Sequence, residues 1–209
     1  NPVTNLKQIK MKHIYILIGI LITISCKAQS SIIDIENYTF SKSQENAYYK
    51  DINNYFNDFE GTWLYTNGTT TFKIILKKRV MRYTGKFYKD EVTGEYQYIE
   101  NGVEKINTLP NLNQSGGSSL WHSSLLKNSY KPKCNNCYPN ERRLSLIFSD
   151  SARDLTGDFT FKKTTINGQP ALEGYLWGNG TLIRDLFSDS LSPYNKLTVP
   201  TGTYIFIKQ

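Results

Sequence analysis

Few residues in this chain could do chemistry. Cys134-Asn135-Asn136-Cys137 is the one paired-ligand spacing. In an oxidising compartment such a pair forms a local disulfide, whose small loop removes little chain entropy. A zinc ion would need about four N, S or O ligands. A second Cys pair is missing, and past residue 25 the sole histidine is His122. A dithiol redox centre expects a helix in a βαβ setting, which Lys131-Pro132-Lys133 and Tyr138-Pro139 argue against. The pair Cys134 and Cys137 is therefore expected as a disulfide, with metal and then redox roles behind it. His122, in Trp121-His122-Ser123-Ser124, could serve as a base beside a serine nucleophile. Nothing fixes a third partner, no Gly-x-Ser-x-Gly elbow exists, and a packing histidine is the simpler reading. Asp150, Asp154 and Asp158 recur every four residues, whereas calcium loops space their oxygens by two around a glycine. A solvated turn fits them better. The sequence holds no phosphate-cradling glycine loop and no His-Glu-x-x-His. Two carboxylates for glycosidic cleavage need only spatial proximity, and the sequence nominates no pair. No cofactor follows from any of these residues.

Cys26 is a different kind of site. Lys7, Lys10 and Lys12 precede the apolar run Ile14–Ile24, and Met11 reads as the start, with 1–10 an upstream extension. A helix over that run reaches only about 16 Å, roughly half a bilayer's hydrocarbon core. A basic flank, a short apolar stretch and a small residue before the cut describe a signal peptide over 11–25. Thr23-Ile24-Ser25-Cys26 resembles a bacterial lipobox, with Thr23 where Leu is usual. Cys26 is then the lipid anchor, since two or three acyl chains bury enough methylenes for stable attachment. Cleavage there removes three lysines and no acid, so the formal charge of +7 falls by three. The remaining excess is mild and spread out, and nucleic acid is not an expected partner. Its densest cluster, Lys77-Lys78-Arg79 with Arg82, reads as a charged strand edge that discourages pairing.

The elements that carry these residues are mostly strands. Tyr (15) and Phe (10) far outnumber Met (2), which favours pleated surfaces. Residues 26–45 read as a polar tether. Tyr48, Tyr49, Ile52, Tyr55, Phe56 and Phe59 recur at threes and fours, predicting a short amphipathic helix over 48–59 that ends near Gly61. Beyond it the period is two: Phe72, Ile74 and Leu76; Tyr96 and Tyr98; Leu144, Leu146 and Phe148; Ala171, Tyr175 and Trp177; Thr203, Ile205 and Ile207. Asn67-Gly68, Asn101-Gly102, Asn167-Gly168 and Asn179-Gly180 each suit the two positive φ angles of a hairpin turn. The chain reads as a mainly β protein: one antiparallel barrel or sandwich over 46–209, with a long loop at 108–141.

Asp58-Phe59-Glu60-Gly61-Thr62-Trp63 places Gly-x-Trp at the entry to the first strand. This resembles the signature of the calycins, the lipocalins and fatty-acid-binding proteins. The resemblance implies that Trp63 packs at a barrel floor under the preceding helix. Tyr49–Asn54, Gly61-Thr62-Trp63, Phe72–Lys78, Ser25-Cys26-Lys27-Ala28-Gln29 and Val199-Pro200-Thr201-Gly202 are together similar to a family of small bacterial envelope lipoproteins with a domain of unknown function. That family brings no activity with it.

Function is expected to be non-enzymatic: a membrane-anchored module binding a small apolar ligand or an envelope protein. An envelope hydrolase using carboxylates or His122 is one alternative, and a purely structural lipoprotein is another. No acid follows Cys26 in Lys27-Ala28-Gln29-Ser30-Ser31, which points to the periplasmic side.

Overall fold

A computed structural model describes residues 30–114, 117–127, 137–182 and 192–209, without the side chains of 179–182. Cys26, Cys134 and the signal segment lie outside them. Eleven strands form: β1 Ile32–Asp34, β2 Tyr48–Lys50, β3 Gly61–Asn67, β4 Thr70–Tyr83, β5 Tyr88–Glu100, β6 Val103–Asn107, β7 Leu120–Leu126, β8 Arg143–Asp150, β9 Leu155–Ile166, β10 Gln169–Leu182 and β11 Gly202–Lys208. Eight of them close a ring. β5-β4-β3-β11-β10-β9-β8-β7 are neighbours in that order, and β7 returns to β5 at Gly94↔Leu120. β4 covers one edge of β5 along nearly its whole length. The other edge meets β2 at Tyr88 and Lys89, β7 at Gly94 and β6 from Gln97 to Glu100.

Alternation decides what fills the ring, because successive strand side chains point to opposite faces. Phe72, Ile74, Leu76, Tyr96, Leu144, Leu146, Phe148, Phe159, Phe161, Leu172, Leu176 and Phe206 are buried in one core. Phe72 stands at its centre, with ring centroids of Tyr96, Tyr98, Phe148, Phe159, Tyr204 and Phe206 between 5.2 and 6.5 Å away. Gly174 supplies the room: a Cβ there would stand 2.8 to 3.1 Å from the rings of Phe159, Phe206 and Phe161. At one end of the ring Phe56 and Phe59 join the core, and toward the other end so do Leu197 and Val199. Residues 32–209 form one compact unit containing all eleven strands and this entire core. Such a unit has what a domain needs to fold by itself.

The amphipathic helix expected over 48–59 is not formed. Tyr48–Lys50 is β2, paired parallel with β1 and β5, and only Tyr55–Asp58 is helical, as one 3₁₀ turn. Asn54 takes the left-handed conformation (φ 56) and so stops a helix from running through it. Tyr48 and Tyr49 are successive and both buried, which suits a strand covered on both faces rather than one helical stripe. The sheet begins at Ile32, inside the stretch read as tether, and β7 lies inside the stretch read as loop. Asn101-Gly102 and Asn167-Gly168 form two-residue turns with both φ angles positive. Asn179-Gly180 is no turn; it lies within β10, where the register slips between Trp177 and Thr181.

Candidate functional site

The β4–β5 hairpin runs past the end of β3. The β3–β4 ladder stops at Gly61↔Leu76, while β4 continues to Tyr83 with β5 on one side only. Between Arg79 and Arg82 the register slips and Met81 adopts φ 54. A bulge of this kind bends the strand and re-aims its side chains. Asp90 holds it in place. Its Oδ1 accepts from the Met81 N–H at 2.9 Å and the Tyr48 hydroxyl at 2.6 Å, and its Oδ2 accepts from the Asp51 N–H at 2.9 Å. Asp51 carries the same connection onward. It accepts from the N–H groups of Tyr55 and Phe56 at 2.9 Å each and from Lys78 Nζ at 3.0 Å. Both carboxylates are buried, and buried charge persists only when paired and hydrogen-bonded.

A cleft of about 1070 Å³ opens outside this hairpin, lined also by Asn113, Gln114, Gly117 and Ser118 and by Trp121 and His122. Lys78, Arg79, Arg82, Lys86 and Lys89 line it, against one carboxylate, Glu91. Glu91 meets both Arg82 and Lys89, with the latter at 3.4 Å. Lys89 is buried, and its ammonium sits 5.6 Å from the centroid of Tyr38. Tyr38, Tyr49 and Phe87 make a triangle of rings beneath, with centroids 5.1 to 5.4 Å apart. Phe40, largely open to solvent, and the partly covered Trp121 also line it. A wall of cations on a ring-lined base can hold an anion that also presents an apolar or stacking surface.

His122 lies in this cleft, at φ 55 on an irregular stretch of β7 and edge-on to Trp121. Partial burial, and next the Lys89 ammonium, hold its pKa below the usual histidine value, and Glu91 opposes them. The neighbouring serine is occupied elsewhere: the Ser123 hydroxyl oxygen accepts the Val92 N–H at 2.9 Å. Glu95 follows on the same face of β5, outside the cleft lining. One of its oxygens accepts the Ser119 N–H at 3.1 Å, while Oε2 is buried without a hydrogen-bond partner.

The other residues singled out by sequence lie apart from this cleft. Trp63 is buried, its indole N–H donates to the Phe59 carbonyl at 2.8 Å, and Lys208 Nζ lies 5.2 Å from its ring. It lines a second cleft with Tyr55, Asp58, Arg142 and Lys163, where cations meet acids directly: Lys163 with Asp58 at 2.6 Å, Arg142 with Glu36. Cys137 is disulfide-bonded and precedes the turn Tyr138–Glu141, in which the Glu141 carboxylate accepts the Tyr138 N–H at 3.0 Å. Asp150 is a structural acid. It accepts the N–H and hydroxyl of Thr198 and the N–H of Ala152, pinning the segment that delivers Leu197 and Val199. Among the described residues no group of three or more His, Cys, Asp or Glu could hold a metal ion.

Sequence reading takes Lys78, Arg79 and Arg82 only as a charged strand edge and does not single out Lys86 or Lys89. Arg79 pairs with Glu91 on β5, and the open side of β4 begins past Leu76. The signal that could have found the cleft is the run of Lys77, Lys78, Arg79, Arg82, Lys86 and Lys89 on the two arms of a single hairpin.

Fold and site together define a class, a closed eight-stranded antiparallel barrel with a cation-rich cleft on its outside, and the closed ring is consistent with a calycin-like architecture. Within that class the chain belongs to a family of unknown function, DUF6705, which matches residues 11–209. No curated protein and no solved structure matches it.

Proposed function

We propose that this chain is a lipid-anchored protein of the bacterial envelope, held through Cys26 and facing the periplasm, whose barrel is a non-enzymatic binding module. It binds on its outside. An eight-stranded barrel is just wide enough for side chains or one small ligand, and here seven rings around and including Phe72 occupy the middle. The observation that carries the reading is the cleft, where five cationic side chains meet two carboxylates, Glu91 and, at Lys78, Asp51, with aromatic groups at its base and border. Its natural occupant is an anionic envelope partner. A hydrolase would need a carboxylate or His122 at liberty to move a proton. Three buried acids beside the cleft are instead committed, Asp51 and Asp90 to backbone N–H groups and Glu91 to two cations, and Glu95, with its unpartnered Oε2, lies outside the cleft lining. The filled core supports one second reading, a purely structural lipoprotein.

Two measurements test this. Growth with labelled palmitate should mark the wild-type protein and leave Cys26→Ala unmarked; an unmarked wild type removes the anchor. Titration of residues 30–209 with pyrophosphate should move backbone amide resonances of Arg82–Glu91 and of Trp121-His122. Resonances that stay still throughout would leave the structural reading standing in its place.

A further inference from the structure

The membrane that holds the anchor has a docking face on the barrel itself. We infer that the β4–β5 hairpin tip, with Phe40 beside it, rests on the anionic headgroup layer of that membrane. Such docking rests on the proposed function, an anchored domain that binds through its outside, and it names the partner of the cleft.

Register places the tip beside the point where the anchored chain enters the sheet. Ile32 pairs with Tyr48, Tyr48 with Tyr88, and Tyr88 with Tyr83. These four residues make one row across the sheet, and three strand spacings span about 14 Å. Five residues lie between Cys26 and Ile32, and the six steps give a contour of at most about 20 Å. An acyl chain on Cys26 therefore keeps Ile32, and with it Tyr83 and the hairpin turn, within a short distance of the bilayer.

The tip has the chemistry such a surface requires. Phe40 is 75% exposed, Val80 65% and Tyr83 53%. Apolar groups so open cost free energy in water and gain it at a headgroup boundary. Arg82 and Lys86 lie on the same hairpin as Val80 and Tyr83, and Lys42 follows Phe40 by two residues in the chain. Glu45 precedes Asn46, whose N–H donates to the Lys86 carbonyl, and Glu91 pairs with Arg82. The Asp90-held bulge at Met81 turns Val80 and Arg82 outward on a fixed backbone, so little ordering is needed on contact. Aromatic and aliphatic side chains interspersed with cations form the pattern of an interfacial anchor.

Residues 30–209, which hold all eleven strands and the core, provide the test without the lipid. They should cosediment with phosphatidylcholine vesicles containing phosphatidylglycerol, and much less with phosphatidylcholine alone. Removing two tip charges, Arg82→Gln with Lys86→Gln, should weaken binding to the charged vesicles about 25-fold, from about 1 kcal/mol per cation near an anionic surface. Lys105→Gln with Lys196→Gln, at the opposite end of the barrel, should change it less than about twofold, because salt screens charges beyond a Debye length. Met81→Ser with Tyr83→Ser, exposed tip side chains that do not line the cleft, should weaken vesicle binding and leave pyrophosphate binding unchanged. Circular dichroism melts of each variant identify any that fail to fold; Arg82→Gln leaves buried Glu91 with Lys89 alone and should lower the melting temperature, so vesicle binding is compared well below each variant's own transition. Pyrophosphate binding with no preference for charged vesicles overturns the docking and keeps the cleft as a soluble-anion site. Binding to neither probe removes both. Equal losses in the tip and opposite-end variants also overturn the docking.

Discussion

Asp51 shows how much of this molecule is decided by single side chains. One buried carboxylate caps the 3₁₀ turn through two N–H groups and neutralises Lys78. Asp51→Ala leaves a mostly buried ammonium and two open donors, and should cost about 3–5 kcal/mol in urea unfolding. Asp51→Asn with Lys78→Met removes both charges together and should cost clearly less than the alanine variant. From sequence, Asp51 looks like the polar face of a helix. Its spacing to Tyr55 and Phe56 suits a helix and a capped turn alike, and only the left-handed Asn54 tells them apart. The tyrosines give a second test. Burial first, and then Glu100, push the Tyr98 phenol up to about 12, and Tyr48, Tyr96 and Tyr204 are raised further still. The unfolded chain ionises near 10.0 while the folded chain keeps these protons. The contribution of these phenols to folding stability should therefore be level below pH 10 and be lost as pH rises above it, toward the raised values. A tyrosinate absorbance titration should show a normal class and a delayed class that appears together with unfolding. Early ionisation of all the tyrosines would contradict the buried phenols.

At the scale of elements, two glycines stand where neighbours leave no room. A Cβ on Gly94 would meet the Ile75 carbonyl oxygen at 2.4 Å, and one on Gly174 would press three phenylalanine rings. Gly94→Ala and Gly174→Ala should each destabilise the barrel by about 1–3 kcal/mol, the usual cost of overpacking. Gly102→Ala tests a different cost, since nothing lies near its Cβ and only its φ of 77 objects. Thermal melts of the three separate packing from backbone strain. The strands themselves were legible. Phe72, Ile74 and Leu76, Tyr96 and Tyr98, and Leu144, Leu146 and Phe148 alternate in sequence and are buried in the structure, because one face of each strand meets the rings. The positive φ pairs at Asn101-Gly102 and Asn167-Gly168 were legible for the same local reason. Asn179-Gly180 misled, because a slipped register inside a strand can absorb the same dipeptide as a hairpin turn. The cleft was not legible. Trp121 and Phe40 reach Lys89 only through pairings 30 to 50 residues apart, and spacing along a chain carries no such information.

Across the whole molecule the ring depends on its last strand. β11 joins β10 to β3, and Tyr204 and Phe206 complete the circle around Phe72. Ending the chain after Pro200 should abolish the near-ultraviolet aromatic dichroism, because the centre loses two rings and β3 a neighbour; a retained signal would mean that the core holds without closure. That the strands close, rather than stack as a sandwich, was undecided in sequence, because alternation looks the same in both. Closure itself is uneven. β3 to β4 and β8 to β9 are joined by long unbroken ladders, whereas β7 meets β5 by a single pair, Gly94↔Leu120, with the Ser123 hydroxyl catching the Val92 N–H nearby. A zip with one tooth parts first. Solvent deuterium should reach the amides of Val92 and Gly94 sooner than those of Phe148 or Phe161, and the barrel should breathe along this slit, next to the cationic hairpin, while the remainder of the ring stays shut.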